Sequence, residues 1–152
     1  MRTASLSLRT YLITDPQLCA GRGLLATLEA AVRGGVNLIQ LRDKQASDAE
    51  LVAIGRDVVA LLAPTGVPLI VNDRIAVAEA IGAQGVHVGQ SDASVRLARE
   101  RLGPEAIIGL SVQTPELAAA VDPDWVDYVG VGPVFATGTK PDHSSPLGFE
   151  GL

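Results

Sequence analysis

Five short apolar runs, each ending abruptly in polar or charged residues, constrain this chain more than any other feature: VNLIQLRDK (36–44), PLIVNDR (68–74), GVHVGQSD (85–92), AIIGLSVQT (106–114) and YVGVGPVFATGTK (128–140). A shorter β-branched run, TYLIT (10–14), precedes them. Between the runs lie segments with helical spacing of apolar residues, and none of the two-residue turns that join hairpins. Strands alternating with helices require parallel pairing through right-handed crossovers, so the fold class is α/β. Parallel strands that end together pool their polar tips into one pocket.

The intervening helices carry their own punctuation. Leu24, Leu25, Leu28, Ala31 and Val32 line one helical face that Gly34 and Gly35 close. Ser47 and Glu50 form a capping box ahead of Leu51, Ile54, Val58 and Leu61. Further helices are expected from about Arg74 to Ile81 and from Ser94 to Leu102, and Thr114 can cap another that runs to about Val121 with Pro115 at its first position. PLGFEGL reads as the start of one more. Residues around Asp15, Pro16 and Gly21 read as a loop.

Six strands and five helices fit either an open doubly wound sheet or an incomplete (β/α)₈ barrel. Period two within the second run favours the barrel: Gln40, Arg42 and Lys44 share one face, and Ile39 and Leu41 take the other. In the sixth run Gly130 and Gly132 alternate with Val129 and Val131, leaving room for a ligand on one face. We expect a single domain over residues 1–152, of TIM-barrel type, with about six of eight strands present.

Composition narrows the function classes. The chain is 47% apolar and 19% charged with a net charge of −5, which argues against a nucleic-acid or membrane surface. Cys19 is the single cysteine, so it cannot form an internal disulfide, and with no signal-like or membrane-spanning stretch this suggests a cytoplasmic protein. Among twelve basic residues only Lys44 and Lys140 are lysines, and both stand just beyond apolar runs.

Arg42, Lys44 and Lys140 place three cations at two tips, which suits a phosphate or diphosphate; alternatively, Arg42 and Lys44 pair with Asp43 or Asp48. Asp73 and Asp92, with Asn72 and Gln90 beside them, offer oxygen ligands that suit Mg²⁺ better than zinc, although both acids also stand where helix caps are wanted. Three cations against two acids make chemical sense mainly with a metal. Ser111, Thr137 and Thr139 supply hydroxyls that can donate to phosphate. His87 reads as a hydrogen-bonded interior residue, and His143 has no evident partner.

The ordered set YLITD, QLRDK, VNDR, GVHVGQSD, GLS and VGVGPVFATGTK resembles the thiamine phosphate synthases. That resemblance covers essentially the whole chain. It implies a (β/α)₈ transferase that couples a pyrimidine diphosphate to a thiazole phosphate in thiamine biosynthesis, through a pyrimidine carbocation formed as diphosphate departs. It further implies Mg²⁺ on Asp73 and Asp92, the pyrimidine diphosphate on Gln40, Arg42, Lys44, Asn72, Ser111 and Lys140, and the thiazole phosphate near Thr137 and Thr139. Catalysis would then be electrostatic, through Arg42, Lys44, Lys140, Ser111 and the metal, with no general base.

Many members carry His where this chain has Gln113, which counts against the related thiazole tautomerase activity. The resemblance also implies two further strands beyond Leu152, so the isolated chain is expected to turn over little and to self-associate through exposed strand edges. A non-catalytic interaction module is the third alternative.

Overall fold

Strand order decides between the two architectures. In a computed structural model that describes residues 6–90, 95–138 and 144–152, six strands pair in the order β1-β2-β3-β4-β5-β6. They are β1 (Tyr11–Ile13), β2 (Leu38–Leu41), β3 (Leu69–Asn72), β4 (Gly85–Val88), β5 (Ile107–Val112) and β6 (Tyr128–Val131). Every pair is parallel. A doubly wound sheet would reverse direction at a switch point; this sheet advances one neighbour at a time and curls. The hydroxyls of Tyr11 on β1 and Tyr128 on β6 lie 2.7 Å apart across the interior. The curl therefore brings the first and last strands face to face, as in a barrel wall.

The register sorts side chains into two layers. On the inner face Ile13, Gln40, Ile70, Gly85 and Ile107 stand side by side. One step towards the strand C-termini lie Asn72, His87, Gly109 and Tyr128. The outer face carries Ile39, Leu41, Leu69 and Val71, which pack with Leu28, Leu51, Val58 and Ile81 of the helices into one apolar cluster. Val86, Val88, Ile108, Leu110 and Val112 build a second cluster around Ala98. Burial of these branched side chains, about 1.5–3 kcal/mol each, holds the helices on the sheet.

The helices are α1 (Pro16–Cys19), α2 (Leu24–Arg33), α3 (Asp48–Leu62), α4 (Ile75–Ile81), α5 (Val95–Leu102) and α6 (Pro115–Ala119). The expected loop after β1 contains α1, opened by Asp15, whose carboxylate accepts from the backbone N–H groups of Gln17 and Leu18. Cys19 closes that turn as a buried free thiol. Helix α6 stops two residues short of Val121, and residues 148–151 form a turn rather than the expected helix start.

At α3 the capping box is present as read: Ser47 Oγ accepts from the Glu50 N–H at 3.3 Å, and the Ser47 N–H donates to Glu50 Oε2 at 2.8 Å. Ser47→Ala is expected to cost about 1 kcal/mol, read as a lower urea midpoint. An unchanged midpoint would show that the cap adds nothing to folding.

The ends of the strands opposite the polar tips are tied by one buried ion pair. Arg99 of α5 meets Asp127, just before β6, at 2.8 Å, with both side chains almost wholly buried. The guanidinium also donates to the carbonyls of Pro104 (3.1 Å), Ala106 (2.5 Å) and Trp125 (3.0 Å). Asp127 Oδ2 in turn accepts from the Ile108 N–H at 2.8 Å. One cation thus joins the end of α5, the entry to β5 and the entry to β6.

Candidate active site

The strand tips enclose a cavity of about 560 Å³. Gln40, Arg42 and Lys44 all line it, because period two keeps them on the inner side as β2 runs into its loop. Asn72 and Asp73 enter from β3, Ser111 from β5 and Thr137 from the loop after β6. Of the residues singled out in the sequence, Asp92, Thr139, Lys140 and His143 lie outside the described residues.

Asp43 and Asp48, the acids considered as partners for Arg42 and Lys44, each make other bonds. Asp48 pairs with Arg74 at 2.8 Å. Asp43 folds back to accept from the N–H groups of Gln45 and Ala46 at 2.9 and 3.1 Å. Arg42 itself is partly buried, with its backbone N–H donating to Thr14 Oγ1 at 2.9 Å.

Asp73 is not a helix cap either. The cap position of α4 belongs to Arg74, which makes no side-chain cap bond, and Asp73 has a left-handed backbone, φ 60°. That conformation is uncommon for a residue with a Cβ and is found where surrounding structure holds it. Here the Asp73 N–H donates to the carbonyl of His87 at 2.8 Å. Its carboxylate accepts from Asn72 Nδ2 at 2.5 Å, so the strained backbone aims an oriented carboxylate at the cavity.

Such a donor set fits Mg²⁺, which takes one or two carboxylates and completes its shell with water and substrate phosphates. No cluster of three or more acidic, His or Cys residues occurs among the described residues, and a Mg²⁺–phosphate site needs none. Asp73 is the described residue that would hold the ion.

Six cavity residues were not singled out in the sequence: Tyr11, Ile13, Gly89, Tyr128, Pro133 and Ser144. The signal for Tyr128 was available, since the alternation that turns Gly130 inward also turns Tyr128 inward. Burial raises the pKa of the Tyr11 phenol, and burial followed by the neighbouring Tyr11 raises that of Tyr128 far above the ordinary value. Both therefore stay protonated. His87 is hydrogen-bonded in the interior, as read, and it also lines the cavity.

Gly130 and Gly132 line the cavity as well. At Gly130, however, a Cβ would meet the His87 ring at 3.2 Å, so the imidazole occupies much of the room expected for ligand there. Gln113 stands on the cavity wall, and Gln90 donates to the Ser111 carbonyl at 3.1 Å, steadying the fifth tip.

A profile described as "Thiamine monophosphate synthase" matches residues 10–152. The chain belongs to that family. Thiamine monophosphate synthase family relatives include the thiamine-phosphate synthase of Azorhizobium caulinodans, 54% identical over 145 residues, covering 95% of this chain and 68% of the relative. That of Xanthobacter autotrophicus is 55% identical over 141 residues, covering 93% and 67%. The solved thiamine phosphate pyrophosphorylase of Pyrococcus furiosus superimposes with a TM-score of 0.80 at 34% identity, covering 95% of this chain and 67% of that one. The chain thus spans about two thirds of the length of these family members. The fold is the TIM-barrel-type α/β architecture expected from the strand tips.

Proposed function

We propose that the protein is a thiamine-phosphate synthase, a transferase that joins hydroxymethylpyrimidine diphosphate to thiazole phosphate and releases diphosphate. The observation that carries this reading is the convergence of Arg42, Asp73 and Ser111 from three strand tips on one cavity, in a chain of the thiamine monophosphate synthase family.

The chemistry needs a pocket that stabilises a departing anion, and none of these side chains has to act as a general base. Arg42 can meet two diphosphate oxygens with its planar fork, and Lys44 adds a point charge at the rim. Ser111 donates its hydroxyl to an oxygen of the same anion. Gln40 and Asn72 orient the pyrimidine, and Thr137 faces the thiazole phosphate. Lys140, Thr139 and Asp92 are assigned to the same site by the sequence pattern alone. Bound at Asp73, Mg²⁺ would neutralise charge that builds on the leaving group. Closely placed, fixed charges of this kind lower the barrier without reorganising during the reaction.

Cytoplasmic placement and self-association belong to the same reading. None of the described helices is long and apolar enough to cross a membrane. Strands β1 and β6 each have one neighbour among the described strands, and Ile13, Val129 and Val131 are exposed on them. Such edges favour pairing with another chain; sedimentation velocity that gives a monomer at all concentrations would remove that part of the proposal.

Calorimetric titration with hydroxymethylpyrimidine diphosphate tests the site. Binding is expected to need Mg²⁺, and Arg42→Ala is expected to weaken it about tenfold to a hundredfold, the effect of losing hydrogen bonds to a charged group. Equal binding of the pyrimidine alcohol and its diphosphate, or an unchanged Kd in the variant, would overturn the assignment.

A further inference from the structure

A continuous hydrogen-bonded chain crosses the barrel interior along the cavity wall. Gln40 Nε2 donates to the Tyr11 hydroxyl at 2.5 Å. The Tyr11 and Tyr128 hydroxyls are 2.7 Å apart, Tyr128 Oη lies 3.0 Å from His87 Nδ1, and His87 Nε2 lies 2.9 Å from Ser111 Oγ. Five residues on β2, β1, β6, β4 and β5 take part, and all of them line the cavity, with Ser111 at the end of the chain.

The first link favours one direction for the others. An amide nitrogen can only donate, so the Tyr11 oxygen accepts there; it can accept a second bond, but it both accepts and donates within the chain only when its single proton goes on to Tyr128. Tyr128 accepts that proton's bond and passes its own to His87 Nδ1, which must then be unprotonated. A neutral imidazole carries one proton, so it sits on Nε2 and is donated to Ser111 Oγ. The serine's own hydrogen is then not consumed by the chain.

We propose that Gln40, Tyr11, Tyr128 and His87 form a one-way relay that holds His87 as its Nε2–H tautomer and leaves the Ser111 hydroxyl proton for donation to an anion in the cavity. Tyr11, Tyr128 and His87 are therefore positioning residues, acting on the ligand through Ser111. The relay deepens the diphosphate reading of the site and rests on it only for the identity of the anion. With the three links beyond Gln40 reversed, the proton would sit on Nδ1, Ser111 would donate inward to the ring, and Tyr11 would accept from both Gln40 and Tyr128. The two arrangements have opposite consequences for a bound anion: one presents a hydrogen, the other a lone pair.

Nitrogen NMR of the whole chain separates them, since the sequence has two histidines, His87 and His143, and His87→Gln assigns the signals. The neutral His87 ring is expected as the Nε2–H form. An Nδ1–H ring, or an even mixture, overturns the relay whether or not any ligand binds.

Calorimetry with Mg²⁺ and inorganic diphosphate gives the second arm. Ser111→Ala is expected to weaken binding roughly tenfold, and Tyr128→Phe roughly threefold or more, as lost or misdirected hydrogen bonds to a charged ligand do. In a Ser111→Ala background Tyr128→Phe should have no further effect. A Tyr128→Phe loss that persists there means that the phenol acts by packing, and it overturns the relay. Absence of any diphosphate binding in the native chain would instead sink the diphosphate reading, and the tautomer would still decide the relay.

Discussion

Asp127→Asn is expected to destabilise the protein by about 3–5 kcal/mol, the usual consequence of leaving one member of a buried ion pair without its partner. The substitution keeps shape and one hydrogen-bonding oxygen but removes the charge opposite Arg99. That guanidinium is buried, and its Nε already lacks a hydrogen-bond partner. Its remaining links to the carbonyls of Pro104, Ala106 and Trp125 offer partial charges only. Because domains of this size are stable by about 5–15 kcal/mol in total, the variant should unfold at a much lower urea concentration. Arg99→Met removes the other partner and should be comparably costly. A loss under about 1 kcal/mol in both would place the pair with exposed ion pairs, which contribute little.

Gly109→Ala is expected to cost toward the upper end of the roughly 1–3 kcal/mol typical of overpacking, and to disorder the site with it. A Cβ at Gly109 would stand 2.2 Å from Tyr128 Cζ and 2.5 Å from His87 Nδ1. Neither ring has an easy retreat: Tyr128 packs edge-on against Tyr11 with ring centres 5.7 Å apart, and His87 is bonded on both nitrogens. The readout is a lower melting temperature together with weakened diphosphate binding. A variant that melts and binds as the native chain does would show that the rings move aside freely. Gly85 is tighter still, since a Cβ there would meet the backbone carbonyl oxygen of Ile107 at 1.8 Å.

Much of the site was legible because strand periodicity is local. Gln40, Arg42 and Lys44 share a face whatever the rest of the chain does, and the abrupt change from apolar to polar residues marks each strand tip. The helix caps at Ser47 and Thr114 were equally readable, since each bond closes within three residues. Asp73 was ambiguous for a physical reason. Its place before α4 looks like a cap, and only its left-handed backbone, held by the carbonyl of His87, removes it from that role.

The sequence by itself determined the alternation of parallel strands and helices, the polar tips and the kind of ligand that they suit, because these follow from neighbours a few residues apart. Tertiary structure alone decided how distant strands meet. Tyr11 and Tyr128 are separated by 117 positions yet share a hydrogen bond, and Arg99 finds Asp127 only once α5 packs beside β5 and β6 are laid down. The relay from Gln40 to Ser111 depends on register across five strands. Register and curl are properties of the whole sheet and of no single segment, so no local pattern encodes them.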